Sequence, residues 1–302
     1  MAANGRTLTM PSNFAELEDL DTGKDPRSIL IFGDAGKGKS FLAATIAQVK
    51  GMERVLYIDV DGGSTGATSR DDDGTGIDRT VFTSFANVKV LSIDLTKPGD
   101  LERLEAQVAE LNEPDRYFYD AVVVDGGDGV QGAFEVRNRL TMTAEATALG
   151  KVVNGFAVWG NLAIETEAFF RSLHNNPNFV AIFITHAANP AEGKFVITPN
   201  LVGASKDRVV SIPDIVMYME TVDEGGVATR VAHLGNSSFL VTKNRVGLPS
   251  KILNPTMPDL YNEMWRMRAV REAALAAAIA PVAPVTALPT KTSKTPTAAN
   301  AA

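Results

Sequence analysis

The eight residues Gly33-Asp34-Ala35-Gly36-Lys37-Gly38-Lys39-Ser40 restrict this chain more than any other segment. They fit the spacing G-x-x-x-x-G-K-[ST] and stand directly between a β-rich run, Ser28–Phe32, and a helical run that begins at Ser40. A glycine-rich turn in that context curls so that successive backbone N–H groups point inward, and the following helix adds the positive end of its dipole. Such a cradle takes phosphate oxygens. Gly33 through Phe41 is therefore the expected nucleotide-binding segment, with Lys39 reaching the β and γ phosphates and Ser40 placing its hydroxyl on Mg²⁺. The expected ligand is a nucleoside triphosphate with Mg²⁺, and ATP is the expected cofactor.

A strand, loop and helix of this kind belong in an open parallel sheet, and the rest of the chain agrees. Short β-rich runs at Arg54–Val60, Val88–Asp94 and Tyr119–Asp125 alternate with helical patterns, which implies βαβ units. After Asp100, Leu101, Leu104, Val108 and Leu111 recur at helical spacing and form one apolar stripe. Residues 131–175 hold two helical patterns broken near Gly150 and Gly155; in the second, Phe156, Trp159, Leu162, Phe169, Phe170 and Leu173 are expected in the core. Phe179–Thr185 is a continuous apolar run short enough for a buried strand. Beyond it, Phe195–Thr198, Ile215–Glu220, Val227–Leu234 and Ser238–Lys243 read as consecutive antiparallel strands that extend the sheet. Pro258-Asp259 opens a last helical stretch to about Ala278, with Asp259 as its expected N-cap.

The fold class expected is α/β, a mostly parallel central sheet flanked by helices and extended by antiparallel strands. The 302 residues suit one large domain with tails: a polar arm over 1–27, a core over 28–255, a C-terminal helix over 256–278 and a tail over 279–302. That tail holds Ala, Pro, Thr and Lys with no aromatic residue, buries too little apolar surface to offset its chain entropy, and is expected to be disordered. The arm is expected to leave no room for an additional N-terminal interaction domain.

Composition removes several function classes. With no cysteine there is no disulfide, no thiolate nucleophile and no thiolate zinc site, and His174, His186 and His233 are the only imidazoles. The formal charge of −7 argues against a nucleic-acid coat but leaves a local basic groove open. No apolar stretch reaches the roughly 18 residues of a membrane span, so a cytoplasmic protein without a membrane partner is expected.

A phosphate cradle hydrolyses nothing without a carboxylate for the metal and a base for the attacking water. Tyr119–Asp125 is an apolar strand ending in an acid, which delivers Asp125 to the ligand-binding edge of the sheet as the expected Mg²⁺ ligand; a turn-forming Asp before Gly126-Gly127, with Asp128 close behind it, is the other reading. Asp59 and Asp61 end the strand before Gly62-Gly63 and point the same way; Asp61 lies further out and is the candidate catalytic base, with a turn or cap carboxylate as the other reading. Arg70-Asp71-Asp72-Asp73 reads as a solvated loop.

Together, residues 28–250 resemble the RecA-type P-loop ATPases, closest to the short phage-encoded recombination and single-strand annealing ATPases. The resemblance implies a RecA-like core and a catalytic acid at Asp61, although Asp stands where recombinases usually carry Glu. It makes Val180–His186 the family's sensor strand, with His186 feeling the γ-phosphate, although larger recombinases carry Gln there and a satisfied strand-end His is the plainer reading. The following loop, about 187–212, corresponds to a DNA-contacting loop whose candidate cations are Lys194, Lys206 and Arg208. Val241-Thr242-Lys243-Asn244-Arg245-Val246-Gly247 is similar to the K-x-R-x-G signature that inserts cations into a neighbouring subunit's active site, so Lys243 and Arg245 are expected to act in trans. The alternative there is an edge strand whose charges discourage aggregation.

These expectations add up to a Mg²⁺-dependent, DNA-stimulated ATPase that assembles as a ring or filament on single-stranded DNA and promotes annealing or strand exchange. A single-strand-binding protein is a further expected partner. The alternatives are a helicase-like or loader motor of the same fold, a small-molecule kinase, or a binding module that uses nucleotide as a switch.

Overall fold

A computed structural model of the chain describes residues 25–60, 88–114, 118–188, 190, 195–224, 226–235 and 237–279. Its centre is a run of parallel strands: β1 (Ser28–Gly33), β2 (Val55–Asp59), β3 (Val88–Ser92), β4 (Ala121–Asp125), β5 (Val180–Ala188) and β7 (Ile215–Glu224), apolar and largely buried except for β3, the partly exposed edge strand. All six pair in parallel, in the order β7-β1-β5-β4-β2-β3. The apolar central strands need cover on both faces, and helices supply it. Beyond β7 the antiparallel strands β8 (Val227–His233) and β10 (Lys251–Leu253) extend the sheet, while β6 (Thr198–Pro199) and β9 (Lys243–Asn244) pair antiparallel with β5 and β7. The α/β class with a mostly parallel sheet is as the sequence implies.

One face carries α1 (Lys39–Ala44), its continuing 3-10 turn at Thr45–Gln48, and the last helix, α6 (Met257–Ile279). Leu42, Ile46, Met257, Leu260 and Tyr261 pack there on Ile29, Ile31, Tyr57 and Met217. The other face carries α2 (Asp100–Leu111), α3 (Gly127–Ala148), α4 (Gly155–His174) and α5 (Ser205–Ser211), packed on Leu30, Phe32, Val122, Val124 and Phe183. The predicted stripe on α2 is real: Leu104, Val108 and Leu111 are buried and Leu101 packs against them. Ahead of β1, Asp25 accepts a hydrogen bond from Trp265 Nε1 at 3.1 Å, which ties the chain's entry into the sheet to α6.

Four expectations are corrected. Strand β7 is parallel to β1, because α5 carries the chain back across one face and such a crossover delivers a parallel neighbour. Of Phe195–Thr198 and Ser238–Lys243 only the ends are strands; Ile197 and Leu240 meet in a single parallel bridge and Phe195 is 75% exposed. Phe156 and Trp159 are 90% and 40% exposed, because the buried stripe of α4 runs through Val158, Leu162, Thr166, Phe169 and Leu173 and these two fall beside it. Arg139 stacks over the Trp159 ring instead, at 5.1 Å. The N-cap of α6 is Thr256: its hydroxyl donates to Asp259 Oδ2 (2.5 Å) and accepts from the Asp259 N–H (3.3 Å), a reciprocal box that makes Asp259 the third helical residue. The N-terminal arm up to residue 24 and the tail from residue 280 lie outside the described residues.

Candidate active site

The loop after β1 stands at the carboxyl edge of the parallel strands, where an open α/β sheet binds ligands. Gly33 packs so closely on β7 that a Cβ there would run into the Met219 carbonyl oxygen. Gly38, the N-cap of α1, sits at φ +83°, a left-handed turn that aims the loop's backbone inward. Lys39 is buried and its ammonium donates to the carbonyl oxygens of Gly33 (2.9 Å) and Asp34 (2.8 Å), so the charge is held inside the loop.

Asp125 ends β4 beside the loop, as predicted. The Ser40 hydroxyl donates to its Oδ2 at 2.6 Å, and the buried Tyr57 hydroxyl donates to the same oxygen. Burial pushes the Asp125 carboxyl up, and the Ser40 and Tyr57 hydroxyls pull it back down. Asp59 is the register partner of Asp125 on β2, also buried, so two carboxylates stand side by side at this edge. The residues present fit a Mg²⁺ ion: Ser40 and Asp125 offer the hard oxygens, and phosphates and waters would complete the shell. Among the described residues no three His, Asp or Glu side chains converge on a self-sufficient metal site. Asp61, Lys194 and the acidic run at 71–73 lie outside the described residues.

His186 is the register partner of Gly33, which places it next to the loop. Its Nδ1 lies 3.1 Å from Asp128 Oδ2, and its backbone N–H donates to Asp128 Oδ1 at 3.3 Å. The same carboxylate accepts from Asn200 Nδ2 at 3.1 Å, and the Asn200 N–H donates to the His186 carbonyl at 2.8 Å.

Lys243 and Arg245 are not brought to this loop. Asn244 pairs with Ile215 at the start of β7, and the Arg245 N–H donates to Asp214 O, at the opposite edge of the sheet from Gly33. The length of β1, about 16 Å, separates the two edges. There Lys243 Nζ donates to Ser211 O (2.6 Å) and Arg245 Nη1 pairs with Asp214 Oδ1 (3.2 Å). Burial lowers the Lys243 ammonium, helped by the charge of Arg245. Arg208, on α5, pairs with Glu167 at 3.0 Å, and Lys206 is half-buried on the same helix.

A family model described as an AAA domain matches residues 25–246. This chain belongs to the AAA-domain family. Solved structures similar to it include the flagellar accessory protein FlaH from Methanocaldococcus jannaschii, at 12% identity and a TM-score of 0.39 over 78% of this chain and 90% of that one. The RadB recombinase is similar at 14% identity and a TM-score of 0.38, over 68% of this chain and 79% of that one. No curated protein matches the chain.

Within the AAA domain, four side chains escape a reading of the sequence. Asp128 was visible only as a neighbour of Asp125, although a carboxylate in the first turn of α3 was a detectable signal. Asn200 had none. Tyr57 looked like an ordinary strand residue, because nothing in Val55–Asp59 tells that its hydroxyl meets residue 125. Arg230, on β8, reaches the loop only through the β7–β8 hairpin. Among the described residues no helix is long and apolar enough to cross a membrane.

Proposed function

We propose that this AAA domain is a Mg²⁺-dependent ATPase, that single-stranded DNA stimulates it, and that it assembles head-to-tail into a ring or filament that promotes annealing or strand exchange. One observation carries the ATPase reading: the loop with its enclosed Lys39, the Ser40–Asp125 pair and His186 share one sheet edge. Lys39 neutralises the β and γ phosphates, Ser40 and Asp125 hold the metal, and Asp61 is assigned the attacking water from its place in the sequence alone. Bound Mg²⁺ supplies Lewis-acid charge to the phosphate oxygens. His186, held by Asp128, links the γ-phosphate end of the site to Asn200.

The distance between the two sheet edges supports action in trans. Lys243 and Arg245 lie too far from their own loop to serve it, whereas a head-to-tail assembly that turned the edge bearing them toward the next protomer's loop would bring them to a phosphate. DNA activation and the recombination role rest on the resemblance of the P-loop, the His186 strand and the K-x-R-x-G segment to recombination ATPases. ATP hydrolysis by the full chain, with and without single-stranded DNA across a salt series, tests this reading. Stimulation that fades steeply as salt rises is expected, because protein contacts to backbone phosphates release counterions. Turnover indifferent to DNA at every salt concentration contradicts it.

A further inference from the structure

Arg230, half-buried on a strand beside the phosphate loop, is a cation from outside the loop that the proposed chemistry leaves unused. It sits on β8 opposite Thr221 of β7, beyond the end of β1, so the hairpin carries it over the loop. Its side chain lies flat on Gly38: a Cβ there would meet Arg230 Nε at 2.7 Å and Cδ at 2.8 Å. Its guanidinium carbon stands 4.9 Å from the centre of the Phe41 ring. Among the described residues no carboxylate pairs with it, and burial lowers its affinity for a proton with no charged neighbour in opposition. A half-buried guanidinium, planar, stacked on an aromatic ring and unneutralised, is arranged to receive an anion.

The sheet order decides which part of the nucleotide meets it. Ser40 and Asp125 mark the metal flank of the loop, toward β5 and β4, where the γ-phosphate belongs. Arg230 stands on the other flank, toward β7 and β8. The terminal phosphate therefore lies away from it and the nucleoside end lies towards it. The geometry points to Arg230 as a substrate-binding residue whose guanidinium, steadied by Phe41, holds the α-phosphate of the bound nucleotide in cis. This rests on the nucleotide-binding reading above. It makes Arg230 a determinant of affinity for di- and triphosphates alike, distinct from the trans cations that act on the transferred phosphoryl group.

The test is calorimetric titration of the full chain with Mg²⁺-ADP and with Mg²⁺-tripolyphosphate, for wild type, Arg230→Ala, Arg230→Lys and Lys39→Ala. Loss of one charge-assisted contact is expected to weaken both ligands by about ten- to a hundredfold in Arg230→Ala. Arg230→Lys, which keeps the charge and the aliphatic stem, should fall between it and wild type. In hydrolysis, KM for ATP should rise by a similar factor while kcat stays within a few-fold. Wild-type affinity in Arg230→Ala overturns the assignment. Weakened ADP with unchanged tripolyphosphate also overturns it, moving Arg230 to the base or ribose. If instead Lys39→Ala binds both ligands as wild type does, the nucleotide-binding reading itself fails.

Discussion

Replacing Tyr57 by Phe removes a single oxygen from the core and leaves its ring. Tyr57 is fully buried and its hydroxyl donates to Asp125 Oδ2, the oxygen that also accepts from Ser40. With the Ser40 hydroxyl turned to a bound Mg²⁺, as proposed above, Tyr57 would be left to orient the carboxylate. A hydrogen bond to a charged acceptor contributes about 1.5–3 kcal/mol, which at about 1.4 kcal/mol per decade is roughly ten- to a hundredfold. That range matches the usual loss when a group supporting a metal ligand is removed. The Mg²⁺ concentration at half-maximal ATP hydrolysis should therefore rise by about ten- to a hundredfold in Tyr57→Phe. A circular-dichroism melt should show a cost of only about 1–2 kcal/mol, because packing volume is conserved. An unchanged Mg²⁺ dependence in a folded Tyr57→Phe protein would refute the assignment of Asp125 as the metal carboxylate held by Tyr57.

Asp125→Asn should melt at a higher temperature than wild type near neutral pH while losing Mg²⁺-dependent hydrolysis. The carboxyl binds its proton more tightly in the fold than in the unfolded chain, so the ionised form costs stability above the ordinary carboxylate range. Asn removes that charge and keeps an oxygen for Ser40 and Tyr57; a lower melting temperature contradicts this. His174 is shifted the other way, its imidazole lowered mainly by burial, opposed by Asp214 and reinforced by Arg27, Arg245 and Lys243. The fold binds this proton less tightly than the unfolded chain does, so stability should fall as pH drops through about 6.5, and His174→Gln should flatten that part of the melting profile. Asp128→Asn, which weakens the hold on His186, should reduce stimulation by single-stranded DNA several-fold while basal turnover changes less; equal loss of both would place Asp128 in the chemistry.

What the sequence discloses of this protein is what local physics determines. The loop from Gly33 to Ser40 and the strand ending at Asp125 are legible because each needs only its neighbours: glycines that turn, an apolar run that must be buried, an acid at its end. His186 is legible for the same reason, as the polar residue after the apolar run, although β5 continues past it to Ala188. The direction of β7 was hidden because α5, Ser205–Ser211, is too short and too polar to register as a crossover helix. Phe156 misled because aromatic residues are expected inside, whereas its angle around α4 puts it outside. Contacts such as Tyr57 with Asp125, or Arg230 with Gly38, join residues far apart in the chain. No periodicity encodes them; they exist only once the sheet order is set.

If, as proposed, one protomer's loop is completed by the opposite sheet edge of another, mixing two inactive variants will show it. Lys39→Ala retains Lys243 and Arg245; Arg245→Ala retains the loop. Alone, each should hydrolyse ATP poorly, while an equimolar mixture should regain a substantial fraction of wild-type turnover, rising with protein concentration. Two folded, separately inactive variants whose mixture stays inactive, or an Arg245→Ala protein that turns over ATP at the wild-type rate, would contradict a shared site.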